Sequence, residues 1–377
     1  MPGYLKRTKE QFFAAVDTVP PGLEAARYPP LDGLRGIAIL MVILPHTGFN
    51  HYLMPWHLYL ESRTGVHLFF VISGFLITTL LLREKIRSGQ INLRNFYIRR
   101  ALRIIPVAYL FLLLLILLNR YEQLHISPLD FIASFLFLKN LPVGGPSSLF
   151  TAHFWSLAIE MQFYATFPLL LSLSINKYLV TALTVIILVP LASLAGVYLV
   201  PAVHLPPLLL LTGKVLMFSF WKGPVMILVG SVFSLLVFKK IIRPEALQRN
   251  YLAAFVVFVL GIAIQSRDFV FYSKYLSEYA GALLLAYSVV LSTGGNHLLA
   301  TVLRNKLLVR TGTLSYSLYI WQQLFVGMYA WESWLGPLRG CPLYLLIPVK
   351  LACIFGLGAV SWYFFESRFL NWKKDYQ

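Results

Sequence analysis

Apolar stretches of about 20 residues recur along this chain, each long enough to cross a bilayer as a helix. Inside lipid every backbone N–H and C=O needs an internal partner, so such stretches fold as helices. They fall at 36–54, 66–82, 104–119, 156–175, 178–200, 217–238, 251–265, 277–293, 312–330 and 343–365. A further apolar piece at 128–140 is too short to span, and its length suits a re-entrant or interfacial segment. The expected fold class is therefore an all-α polytopic membrane protein, with about ten transmembrane helices and one short re-entrant or interfacial segment.

Charge orients these spans. Of the 32 Lys and Arg, 23 fall on the side that carries both termini, seven fall on the other, and Lys222 and Lys350 lie within spans. Basic residues collect in cytoplasmic loops, so both termini are expected to be cytoplasmic. A fully spanning 128–140 would put the loop with Lys239, Lys240, Arg243 and Arg249 outside, against that rule. The net charge of +17 follows from this asymmetry and needs no nucleic acid to explain it. Residues 1–30 contain no apolar run of the signal-peptide kind, so the first span is expected to direct insertion. Only 12% of residues are charged, about half the soluble-domain norm of ~25%. One membrane domain over 31–370 is expected, between cytoplasmic tails at 1–30 and 371–377. Cys341 and Cys353 have neither disulfide-framework nor metal-site spacing.

Few ionisable groups enter the apolar stretches, and those that do mark functional sites by default. His46 lies in the first span, eleven residues after Arg35. Eleven residues at ~100° each amount to about three turns plus 20°, so both side chains share one helix face about 16 Å apart. Histidine is the usual general base near neutral pH, and Pro45 ahead of it removes a backbone donor and tends to kink the helix. Glu160 lies in HFWSLAIEMQFYATFP, where Ser156, Glu160 and Tyr164 form one stripe. A purely packing role for this carboxylate is the lesser reading. His67 opens the second span and reads as an interfacial histidine, while Ser73 and Gly74 provide a small-residue packing site. Arg94, Arg99, Arg100 and Arg103 crowd the cytoplasmic edge of the third span. Arg100 and Arg103, three apart, form a fork suited to phosphate. Ser315, Tyr319 and Gln322 make a polar stripe in the ninth span, either packing glue or a polar path.

Taken in order, these segments resemble the membrane-bound acyltransferase-3 family. The resemblance rests on LDGLRGIAIL with ten residues between Arg35 and His46, GVHLFFVISGFLIT, FYIRRALRIIP, WSLAIEMQFYATFP and LSYSLYIW, and covers about residues 28–370. It implies a ten-span core in a bacterial cytoplasmic membrane. It also implies transfer of an acyl group, usually acetyl from acetyl-CoA and without a metal, to a hydroxyl of an envelope glycan or small secondary metabolite. On this reading His46 is the catalytic base or carries the acyl group covalently. Glu160 assists it by orienting the imidazole or the acceptor. Arg35, Arg100 and Arg103 hold the CoA phosphates. Asp32, His67, Trp155, Ser156, Tyr164, Ser315, Tyr319 and Gln322 border the substrates. His67 stands where the family usually has Asp, and Gln322 where it often has His. The rival expectation is a proton-coupled transporter or flippase using the intramembrane His46 and Glu160 as a relay.

Overall fold

The computed structural model describes residues 9–25, 27–122, 124–141, 148–199, 223–266, 274–326 and 341–376. All regular structure among them is helical. The main helices are α1 (Pro29–Thr47), α2 (Ser62–Ser88), α3 (Leu93–Glu122), α4 (Pro128–Phe135), α5 (Phe154–Leu173), α6 (Ile175–Leu199), α7 (Pro224–Phe238), α8 (Ala253–Ser266), α9 (Lys274–Ser292), α10 (Lys306–Trp321) and α11 (Leu343–Ser361). A helix lies in each of the ten expected stretches. By length and apolarity, however, five helices among the described residues qualify as spans, or six with the bent pair that begins with α1. Helices α7, α8 and α9 are apolar but shorter. Parts of the expected spans at 200, 217–222 and 327–330 lie outside the described residues.

Two backbone-to-backbone approaches hold the core. α1 packs on α10, and α2 on α7. A Cβ added at Gly312 would sit 1.7 Å from the Asp32 carbonyl oxygen, and one at Gly36 2.2 Å from that of Leu308. Only glycine admits such an approach, as in small-residue membrane packing. Gly74 and Gly230 do the same for α2 and α7. There Thr78 Oγ1 donates to Ser231 Oγ at 2.7 Å, and the Thr79 and Ser234 hydroxyls pair at 2.9 Å. α2 touches α1, α7 and α9 and forms the centre of the bundle.

α1 departs from its expected limits at both ends. It starts at Pro29 because proline is pre-set for the first helical turn. It stops at Thr47 because Gly48 takes a left-handed cap with φ 96°. The chain then turns by 89° into Asn50–Trp56, so the break lies three residues beyond Pro45 rather than at it. His46 consequently occupies the last turn of α1. The 128–140 piece is a single eight-residue helix, N-capped by Ser127, too short to span. The last helical run contains a π-helical turn at Trp362–Glu366, followed by Ser367–Trp372 and a 3₁₀ turn at Lys373–Tyr376.

Candidate functional site

His46 faces a cavity of about 530 Å³ lined also by Arg63, Lys139, Asn140, His153, Trp155, Tyr319, Gln322 and Gln323. Gln322 stands beside His46 in this wall, and Gln322 Oε1 and His46 Nδ1 are both buried without a partner among the described residues. α10 ends at Trp321, so Gln322 enters the wall from the turn rather than from a helical stripe. The two cations in this cavity are tied to carboxylates. Arg63 Nη1 donates to Glu278 on α9 at 2.9 Å, and Lys139 contacts Asp130 of α4. Asp130 also accepts from the Ser148 amide at 2.7 Å. Asn140 and Gln162 exchange side-chain amide bonds at 3.0 and 2.8 Å. The segment after α4 thus contributes Lys139 and Asn140 to the wall of the His46 cavity, tied back to Asp130 and Gln162.

A narrower cavity, about 60 Å³, lies against Arg35, Phe69, Phe70, Ser73, Ser156, Glu160, Ser315, Tyr316 and Tyr319. It shares Val66, Tyr319 and no titratable group except that tyrosine with the His46 cavity. The Tyr319 and Ser156 hydroxyls pair at 2.6 Å, and Tyr319 also donates to the His153 carbonyl at 3.2 Å. Glu160 Oε1 accepts from Ser73 at 2.9 Å and from Tyr164. Glu160 therefore belongs to the Arg35 cavity, with Tyr319 between it and His46.

A third cavity of about 660 Å³ is basic. Arg83, Arg87, Arg99, Arg100 and Lys373 line it with only Glu24 and Glu84 as carboxylates. Arg100 lies 5.5 Å over both the Phe96 and Tyr164 rings. It thereby touches the tyrosine that hydrogen-bonds Glu160 of the narrow cavity.

Most of the expected site residues converge on these cavities. Arg35, Ser156, Glu160 and Ser315 line the narrow one, Trp155 and Gln322 stand with His46 in its own, Tyr319 borders both, and Arg100 lines the basic one. Tyr164 stands behind Glu160. Arg103 lines none of the three, although it lies in the field of Arg35, Glu366 and Lys373. Asp32 pairs with Arg27 at 2.9 Å ahead of the cavities. His67 is 0% exposed within α2 and lines none of them. It is packed inside the bundle, in the second turn of α2, covered by its neighbours.

Three residues escaped the sequence reading. His153, 6% exposed, shares the His46 cavity with both ring nitrogens unpartnered among the described residues. Its position directly ahead of FWSLAIE was the available signal. Glu366, 2% exposed, accepts from Ser317. An acid at the end of the last apolar stretch could have flagged it. Lys373 had no local signal. Among the described residues no cluster of His, Cys, Asp or Glu could hold a metal ion.

A sequence profile described as an acyltransferase domain matches residues 29–366. Among curated proteins, a peptidoglycan O-acetyltransferase of Listeria monocytogenes is 35% identical over 154 residues, 37% of this chain and 23% of its own length. A Bacillus subtilis protein provisionally named a peptidoglycan O-acetyltransferase is 37% identical over 157 residues, 38% of this chain and 23% of its own. A Staphylococcus aureus protein provisionally named an O-acetyltransferase is 38% identical over 157 residues, 38% of this chain and 25% of its own. The match thus spans about a quarter of the length of these relatives. No solved structure matches. With its profile running from the first residue of α1 to the buried Glu366, the chain belongs to the acyltransferase-3 family.

Proposed function

We propose that this protein is a membrane O-acetyltransferase. It takes the acetyl group of cytoplasmic acetyl-CoA and passes it to a hydroxyl of a glycan or small metabolite on the other face. The observation that carries this reading is the set of cavities: a wide chamber holding His46, a narrow polar-and-aromatic neck at Arg35 and Glu160 that shares Val66 and Tyr319 with it, and a separate basic mouth. The phosphates of the donor belong at Arg100 and the mouth, and the slender pantetheine arm enters the neck past Arg35. The thioester meets the acceptor in the chamber.

There the unpartnered His46 nitrogen removes the hydroxyl proton as the oxygen attacks the thioester carbon. Collapse of the tetrahedral intermediate breaks the C–S bond, and the imidazolium returns the proton to the leaving sulfur. Gln322, beside His46 in the chamber wall, orients the ring. Glu160, engaged by Ser73 and Tyr164, holds the neck in shape for Arg35 and does not reach the imidazole. Trp155 with Asn140 and Gln323 offers an aromatic face and amides, the usual partners of a sugar. The names of the relatives, which concern peptidoglycan, favour a glycan acceptor.

The test is thiol release and acetyl transfer by purified protein given acetyl-CoA and hydroxyl acceptors. Wild-type protein should release thiol, and His46→Ala should not. Folded wild-type protein that leaves acetyl-CoA intact with and without acceptors rejects the proposal.

A further inference from the structure

The basic mouth contains more positive charge than its own residues neutralise, and one contributor comes from a distant part of the chain. Arg83 is engaged by the Glu24 and Ala25 carbonyls at 2.9 and 2.6 Å and by the Tyr28 hydroxyl at 3.0 Å. Arg99 is engaged by Glu84 at 3.3 Å and by the Tyr376 carbonyl. Arg87, Arg100 and Lys373 have no carboxylate partner among the described residues, and Arg100 Nε is buried without any.

Packing alone does not account for Lys373. Its ammonium is half-buried and faces Arg99, Arg100 and Arg103 from α3 and Arg35 from α1. Arg83, Arg87 and Glu84 of α2 and Glu24 share its cavity. Asp375 on its own turn is exposed, and Glu366 and Arg368 precede it in the chain. Like charges gathered in a concave site raise the local concentration of anions. The 3₁₀ turn that delivers Lys373 is fastened at its far end by the bond from Arg99 to Tyr376.

We propose that Lys373 is a phosphate ligand of the donor, completing with Arg100 and Arg87 a polyphosphate site roofed by the Lys373–Tyr376 turn. This rests on the acyl-CoA reading above. Burial, reinforced by the surrounding arginines, pushes the Lys373 ammonium down to about 7. In the free protein the mouth thus sheds part of its charge near neutrality. An arriving phosphate restores it, so donor binding takes up protons at pH 7, and affinity falls as the pH rises above it.

The experiment is calorimetric titration of the full-length protein in detergent with free CoA, inorganic pyrophosphate and pantetheine, in buffers of different ionisation enthalpy. Lys373→Gln should weaken CoA and pyrophosphate binding about tenfold or more and leave pantetheine unchanged. Wild-type protein should take up about half a proton per CoA at pH 7. Lys373→Arg should keep most of the affinity and lose most of that uptake. CoA affinity unchanged in Lys373→Gln, or uptake equal in wild type and Lys373→Arg, overturns the proposal. If Arg100→Ala alone weakens CoA, the acyl-CoA reading stands without Lys373. If pyrophosphate binds in a Lys373-dependent way and CoA does not bind, the anion site stands and the acyl-CoA reading falls.

Discussion

At the scale of residues, the chamber presents two histidines with different surroundings. His46 stands beside Gln322 and Val42 with its Nδ1 unpartnered among the described residues, whereas His153 has both ring nitrogens unpartnered there. Removing a positioned base costs about 10²–10⁴-fold. His46→Ala should therefore lose that much turnover while its CoA affinity stays within about twofold, as read by single-turnover kinetics beside a binding titration. Gln322→Leu should lower turnover by about tenfold, the worth of one orienting hydrogen bond, again with little change in CoA binding. An equal loss of CoA affinity would move Gln322 from ring positioning to the donor path. Arg35, His46, Glu160 and Arg100 could be found in the sequence because an ionisable group in an apolar stretch is expensive and therefore conspicuous. His153 escaped because it sits just outside the first turn of α5, where a histidine costs nothing on sequence grounds. Lys373 escaped because its neighbours come from α1 and α3, more than 250 residues away, and no local pattern encodes that return.

Elements were readable from apolar length but not to their ends. α1 was expected at 36–54, and the helix is Pro29–Thr47. Hydropathy windows register the apolar run and miss what the Pro29–Pro30 start and the Gly48 cap dictate. The π-helical turn at Trp362–Glu366 was invisible, since it shifts the register by one residue without altering composition. The glycines could be suspected of close packing, but which backbones they admit is a tertiary fact. Gly312→Ala makes the cleanest test, because its Cβ would overlap the Asp32 carbonyl oxygen on α1. Overpacking of this kind costs about 1–3 kcal/mol. The variant should unfold several degrees lower and lose activity, because α1 carries both Arg35 and His46. An unchanged melting temperature would show that α1 and α10 tolerate separation.

For the whole molecule, the charge pattern predicts sidedness, and the cavities run in the matching sense. The basic mouth adjoins Gly89, and the chamber adjoins Arg63, on the side with few positive charges. Single cysteines replacing Gly89 and Tyr59 should label from opposite faces of sealed vesicles, with Gly89→Cys and the 239–250 loop reached from the cytoplasm. Labelling of positions 89 and 59 from one face would dismantle the through-membrane arrangement. The full span count was less readable, because among the described residues five of the expected stretches hold helices long and apolar enough to cross, or six with the bent pair, and parts of two others lie outside those residues.

The neck between mouth and chamber carries a further consequence. Its free space would hold only a handful of waters, and on the proposed route the acyl end of the donor leads the way through it. On that route the neck would act as a calliper on the cargo, passing two carbons and stopping a longer or branched chain. Phe69, Phe70 and Tyr319 set its jaws. Wild-type protein should use acetyl-CoA far better than butyryl-CoA, and Phe69→Ala should narrow that preference. Equal use of both by the wild type would mean that the neck widens before the cargo arrives.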